Sequence, residues 1–200
     1  RGIGLHDAEG EIHRIRPDGT IPGNNPFAER EDALASIWSY GHRNPQGMVL
    51  HPSTGGLWAT EHGPRGGDEL NLIRRGANYG WPEVTYGMNY NGTPITAHTQ
   101  KPGMVDPVLH WTPSLAVCGM DVVTGNAFPA WRGDLLVSGL AAQEMRRLVI
   151  EEGEVVHEEV LIKERGRVRD IACAPDGTVY ILSMTTGNKV GRVQRLRPAG

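Results

Sequence analysis

Short runs of β-branched and aromatic residues recur along the chain, each preceded by turn-forming residues. Glu11-Ile12-His13-Arg14-Ile15 alternates polar and apolar positions, the period of a half-buried strand, and breaks at Pro17-Asp18-Gly19-Thr20. Three segments share one pattern, a Gly or Asp-Gly turn leading into a strand-forming run. They are Gly55-Gly56-Leu57-Trp58-Ala59, Gly133-Asp134-Leu135-Leu136-Val137 and Asp176-Gly177-Thr178-Val179-Tyr180-Ile181-Leu182. Gly133 and Gly177 lie 44 residues apart, within the roughly 40–50 residues of a propeller blade. The first segment precedes the second by 77. The extra length falls in 82–113, which is rich in Gly, Pro, Asn and Thr, has no sustained period and reads as a long loop between strands. Residues 146–157 predict a hairpin about Glu151-Glu152-Gly153-Glu154, and 191–196 a closing strand. The best helical candidate lies in 25–39, where Ala28 to Ala35 fits one or two turns. The class is all-β.

Composition agrees and excludes several partners. Gly 27 and Pro 14 in 200 residues exceed ordinary usage without any collagen-like period. A formal charge of −3 gives no net basic field to draw the chain to nucleic acid. Apolar runs such as Leu135-Leu136-Val137 are far short of the ~20 residues that cross a bilayer. Cys118 and Cys173 have no CxxC spacing and read as small buried residues. At roughly 45 residues a blade, the chain supplies about three or four blades, whereas a propeller closes its ring with typically four to eight. With Arg1 rather than Met at the start, the expectation is the C-terminal part of one β-propeller domain within a longer polypeptide, 1–200 being a single unit.

The densest cluster of unusual residues is Tyr40-Gly41-His42-Arg43-Asn44-Pro45-Gln46-Gly47. It is followed by Glu61-His62-Gly63-Pro64, then Asp68-Glu69-Leu70-Asn71, then Asn78-Tyr79-Gly80-Trp81-Pro82. Glycines that permit close approach and prolines that stiffen loops hold these polar groups at fixed positions, as a preorganised pocket needs. The competing reading is that Arg43, Asn44 and Gln46 only tie neighbouring strands together. In order, these motifs resemble the soluble pyrroloquinoline quinone (PQQ) dependent aldose sugar dehydrogenases, the glucose/sorbosone dehydrogenase family of six-bladed propellers. The likeness continues through Arg167-Val168-Arg169-Asp170 and Pro175-Asp176-Gly177.

The resemblance implies that Arg43 and Asn44 contact PQQ, Arg43 being the electrostatic catalyst that stabilises charge on a quinone oxygen as hydride arrives. It implies that the carbonyls of Gly63 and Pro64 ligate a Ca²⁺ shared with PQQ, and that Glu69 and the Tyr79 carbonyl ligate a second Ca²⁺. For Glu69 a salt bridge with Arg74 or Arg75 is the alternative. Arg167 and Arg169 alternate on a strand, so both would face the cofactor's carboxylates; without the resemblance they read as a solvated basic face. His62 and Trp111 would line the sugar side, with an ordinary core aromatic the competitor for Trp111.

Two departures stand out. Where the family carries a Lys that contacts PQQ, this chain has Ala141 within Gly139-Leu140-Ala141-Ala142. The family's general base, a His, has no counterpart here, His6, His13 and His42 standing in other contexts, so it is expected upstream of Arg1. The reading is therefore oxidation of the anomeric carbon of an aldose to a lactone by PQQ and Ca²⁺, with this piece alone inactive. The electron acceptor is unidentified, a homodimer is left open, and a periplasmic or secreted location follows from the resemblance only. The rival is a non-catalytic propeller that binds a protein or carbohydrate on its top face. A Ca²⁺-dependent lactonase-like propeller is a third, which the contexts of Asn44 and Glu69 do not suggest.

Overall fold

The computed structural model describes residues 5–6, 9–185 and 190–198. These form thirteen strands and one 3₁₀ turn, Pro129–Trp131. A short ribbon pairs β1 (Ile12–His13) with β2 (Ile37–Ser39). The first full sheet is an antiparallel meander of β3 (Pro45–Leu50), β4 (Leu57–Glu61), β5 (Asp68–Ile73) and β6 (Leu109–Trp111). The second consists of β7 (Val117–Val122), β8 (Leu135–Gly139), β9 (Glu144–Glu151) and β10 (Glu154–Lys163). The third has β11 (Arg167–Cys173), β12 (Val179–Met184) and β13 (Gly191–Arg195).

The three runs read from turn-and-strand periodicity become β4, β8 and β12, the second strand of each sheet. The expected hairpin is β9–β10 and the closing strand is β13. Two expectations are corrected. The segment read as helical, Ala28 to Ala35, contains only turns, because Asn25 Nδ2 donates to Arg14 O at 2.9 Å and Ala35 O at 3.0 Å and holds both flanks of the loop together. The 82–113 excursion is not wholly irregular: its end adds β6 to the open edge of β5, pairing Asp68 with Trp111.

Successive sheets stack face to face, and the core lies between them. Trp58, Leu70, Trp111, Val117, Leu135 and Val137 fill the space between the first and second sheets. Val123, Leu136, Met145, Val168, Ile171 and Val179 fill that between the second and third. Strand β7 packs against both β3 and β11. Arg169 reaches Cys118 and, further along, the Cys173 amide donates to Asp121 Oδ2 at 2.6 Å, so β7 and β11 run the same way. His51, just past β3, bonds Gly133 O beyond the end of β7, which aligns β3 with them. This is the radial strand order of a propeller, with three innermost strands starting at one face. Among the described residues no helix is long and apolar enough to cross a membrane.

Candidate functional site

Each innermost strand carries a β-bulge near its start. In β3, Pro45 pairs with Glu61 and Gly47 with Thr60, leaving Gln46 extra. In β7 the irregularity falls between Val117 and Met120, and in β11 Arg169 is the extra residue between Val168 and Asp170. A bulge re-aims a side chain out of the alternating pattern, and these three aim at one another. Arg169 Nη1 lies 3.5 Å from Cys118 Sγ, Cys118 Sγ 3.8 Å from Gln46 Oε1, and Gln46 Nε2 donates to Asn44 Oδ1 at 3.0 Å. The sequence argument for Arg169, strict alternation with Arg167, is therefore corrected: the bulge breaks the alternation, and it is the bulge that turns Arg169 toward the inner strands.

Arg43 stands at the mouth of this row. Its Nη1 donates to His62 O at 3.0 Å, next to the Gly63-Pro64 turn, and its guanidinium lies over the Trp81 ring at 5.4 Å. Among the described residues neither Arg43, Arg167 nor Arg169 is paired with a carboxylate. Beneath Arg43 lies a buried carboxylate, Glu61, 4% exposed at the end of β4. Its Oε2 accepts the Arg43 amide at 2.7 Å and the Asn44 amide at 3.4 Å. Its Oε1 accepts His42 Nδ1 at 3.0 Å and Asn71 Nδ2 at 2.8 Å. His42 in turn meets Ser39 Oγ at 2.9 Å through Nε2 and stacks on Tyr79. Ser39, His42 and Glu61 have the connectivity of a hydrolytic triad, but Ser39 is 0% and His42 1% exposed, so no substrate reaches the hydroxyl. Gly41 lets this turn pack: its φ is +76°, and a Cβ there would lie 2.7 Å from the Gly80 amide.

Gly41, Arg43, Glu61, His62, Gly63, Glu69, Tyr79 and Trp81 are among the walls of a cavity of about 10 Å³, the space of one water or ion. Burial, together with the neighbouring Glu61 carboxylate, pushes the Glu69 carboxyl up to about 8. Among the described residues, His62 Nε2 and Asn71 Oδ1 are buried without a hydrogen-bond partner. Among the described residues no three His, Cys, Asp or Glu side chains group around a metal position. Asp68 is occupied, accepting the Gly63 and Val117 amides, each at 3.0 Å, and Ser114 Oγ. Of the residues lining this cavity, Glu69 could serve a hard divalent cation as an oxygen ligand, since positive charge there would offset the cost of burying its carboxylate beside Glu61. No salt bridge joins Glu69 to Arg74 or Arg75 among the described residues.

The other expected residues divide. Arg167, half-buried, opens β11 beside Arg169. Pro64 follows Gly63 on the same turn and packs against Gly87 of the excursion. Trp111 is corrected as a pocket residue: the residue is 5% exposed, its side chain packs in the core, and its Nε1 donates to Glu158 Oε1 at 2.7 Å. Ala141 is exposed in the turn between β8 and β9. Sequence reasoning assigned no part to Glu61, Trp81 or Cys118. For Glu61 a signal existed, an acid ending the otherwise uncharged run Leu57-Trp58-Ala59-Thr60.

The family model Glucose / Sorbosone dehydrogenase matches residues 4–195. The chain is 43% identical over 186 residues to slr1608 of Synechocystis sp., covering 92% of this chain and 45% of that protein. It is 38% identical over 192 residues to aldose sugar dehydrogenase YliI of Escherichia coli, covering 94% and 52%. It is 29% identical over 244 residues to quinoprotein glucose dehydrogenase B of Acinetobacter calcoaceticus, covering 94% and 50%. Among solved structures, the PQQ-bound form of aldose sugar dehydrogenase from Streptomyces coelicolor superposes with a TM-score of 0.73 at 26% identity, covering 98% of this chain and 57% of that one. The chain spans about half the length of the curated relatives named here.

Proposed function

The chain belongs to the glucose/sorbosone dehydrogenase family, and on that premise we propose that it forms the cofactor-holding part of a PQQ- and Ca²⁺-dependent enzyme that oxidises the anomeric carbon of an aldose to a lactone. The observation that carries this reading is two guanidinium groups, Arg43 and Arg169, that among the described residues have no carboxylate partner and lie along the row of inner strands, Arg43 beside the Gly63-Pro64 turn. PQQ, when bound, supplies an anionic quinone able to accept two electrons as hydride. Arg43, steadied by the His62 carbonyl and the Trp81 ring, keeps further N–H donors free to stabilise negative charge developing on an oxygen of that group. Arg167 and Arg169 pair with its carboxylates, and Asn44 adds a polar contact. The Gly63 and Pro64 carbonyls hold one Ca²⁺; Glu69 and the Tyr79 carbonyl hold the second.

His62 lines the sugar side. The sugar gives up a hydride from C1 and the proton of its anomeric hydroxyl, leaving the lactone carbonyl. We assign that proton to a His elsewhere in a longer polypeptide, so the 200-residue chain alone turns nothing over. The electrons pass to an external acceptor, and the periplasm or cell exterior is the proposed location.

Ala141 favours a second reading, a propeller that keeps the face but binds no cofactor. Loading the full-length protein with PQQ and Ca²⁺ separates the two. Quinone retained through gel filtration, whose absorbance bleaches on adding an aldose, is the result expected. Loss of all quinone on the column would favour the binding propeller.

A further inference from the structure

We propose that Glu61 is the positioning residue of the site, acting through reach rather than charge: it fixes the backbone of Arg43 and Asn44 and thereby aims both side chains. This rests on the cofactor reading above for its consequence, and on geometry alone for its cause. Consecutive amides, those of Arg43 and Asn44, converge on the single oxygen Oε2. The other oxygen is anchored on the far side by His42 and Asn71, themselves held by Ser39 and by the partner strand β5. The carboxyl group thus spans from the packed interior to the turn that presents Arg43. Gly41 ahead of this turn lacks a side chain to brace it, and among the described residues Arg43's own guanidinium has one hydrogen bond, to the His62 carbonyl.

Reach and charge can be separated because the surroundings tolerate an amide. In Glu61→Gln, the oxygen of the new side chain can stay on the Arg43 and Asn44 amides. Its NH₂ then faces His42, which can switch tautomer to accept, and Asn71, whose Oδ1 has no partner among the described residues and can turn to meet it at the cost of its 3.2 Å bond to Glu69. Glu61→Asp keeps the charge but is one methylene too short to hold both ends.

The test is made on the full-length protein in two arms. In the cofactor-free arm, hydrogen exchange is followed by mass spectrometry in a peptide covering 40–47. Exchange at Arg43 and Asn44 is expected to quicken at least about tenfold in Glu61→Asp and to stay within about threefold of wild type in Glu61→Gln. In the second arm, the Kd for PQQ at saturating Ca²⁺ is expected to follow the same order with the same margins. The reverse order, Gln weak and Asp near wild type, would show that charge matters and overturn the proposal. So would wild-type behaviour in both variants, or equal losses accompanied by faster exchange throughout the sheet, which mark a merely structural carboxylate. A wild-type protein that binds no PQQ would end the functional reading while the exchange arm still decides the role of Glu61.

Discussion

Glu69 shows how a single residue reports on its surroundings. Its carboxyl ionises near 4.5 in an ordinary setting and near 8 in the folded chain, burial being the larger cause and Glu61 the next. Between those values the folded state holds a proton that the unfolded state has lost, so stability falls as pH rises through that window. In metal-stripped protein the melting temperature is therefore expected to decline from pH 5 to pH 8, Glu69→Gln to flatten the decline, and Ca²⁺ at pH 8 to raise the melting point of wild type more than of the variant. An unaltered slope in Glu69→Gln would assign the pH dependence to other groups. Residue roles were legible only in part. Arg43 and the Gly63-Pro64 turn stand out as motifs, and the fold places the Arg43 guanidinium 3.0 Å from the His62 carbonyl, one residue before that turn. Trp111 could not be assigned from its chemistry, since an indole suits a sugar and a core equally, and its strand decides for the core. Glu61 was passed over because its partners come from two segments remote from it in sequence, 42–44 and Asn71.

At the scale of elements, turn-and-strand patterning located β4, β8, β9 and β12 inside the sheets and β10 and β13 at their edges, but not the interior strand β5. It also missed strands defined by a partner rather than by their own pattern: Leu109–Trp111 becomes a strand because β5 offers an unpaired edge. It was equally blind to the bulges, since an extra residue leaves no trace in one strand's sequence and exists only relative to its neighbour. Yet the bulges aim Gln46, Cys118 and Arg169. Their setting depends on close approach between sheets. A Cβ on Gly119 would lie 2.8 Å from the Asp170 Cα, a backbone atom that cannot swing aside. Gly119→Ala is expected to cost about 1–3 kcal/mol or more in denaturant unfolding and to weaken PQQ binding, because it forces β7 from β11. A stability unchanged within error would show that the two strands are not held at that spacing.

For the molecule as a whole, stacked sheets place charges that are remote in sequence on one face. Arg43 precedes the first full sheet and Arg169 sits near the start of the third, with β7 between them supplying Cys118 as the link. The class and the radial sheet order were readable from turn spacing, whereas the row that runs from Arg169 through Cys118 and Gln46 to Asn44, next to Arg43, needed the fold. The apolar faces at the two ends of the stack, Met48 and Leu50 on β3, Tyr180 and Leu182 on β12, are partly exposed. We propose joint action of guanidinium groups from different sheets on one anionic cofactor. It is tested most directly by the Kd for PQQ of full-length wild type, Arg43→Ala, Arg169→Ala and the double variant at fixed Ca²⁺, each beside its melting temperature. Each single change is expected to weaken binding by at least about tenfold, as loss of a charge-assisted contact does, with melting points close to wild type. PQQ affinity that is unaffected by both changes, or that falls only in step with stability, would contradict the account.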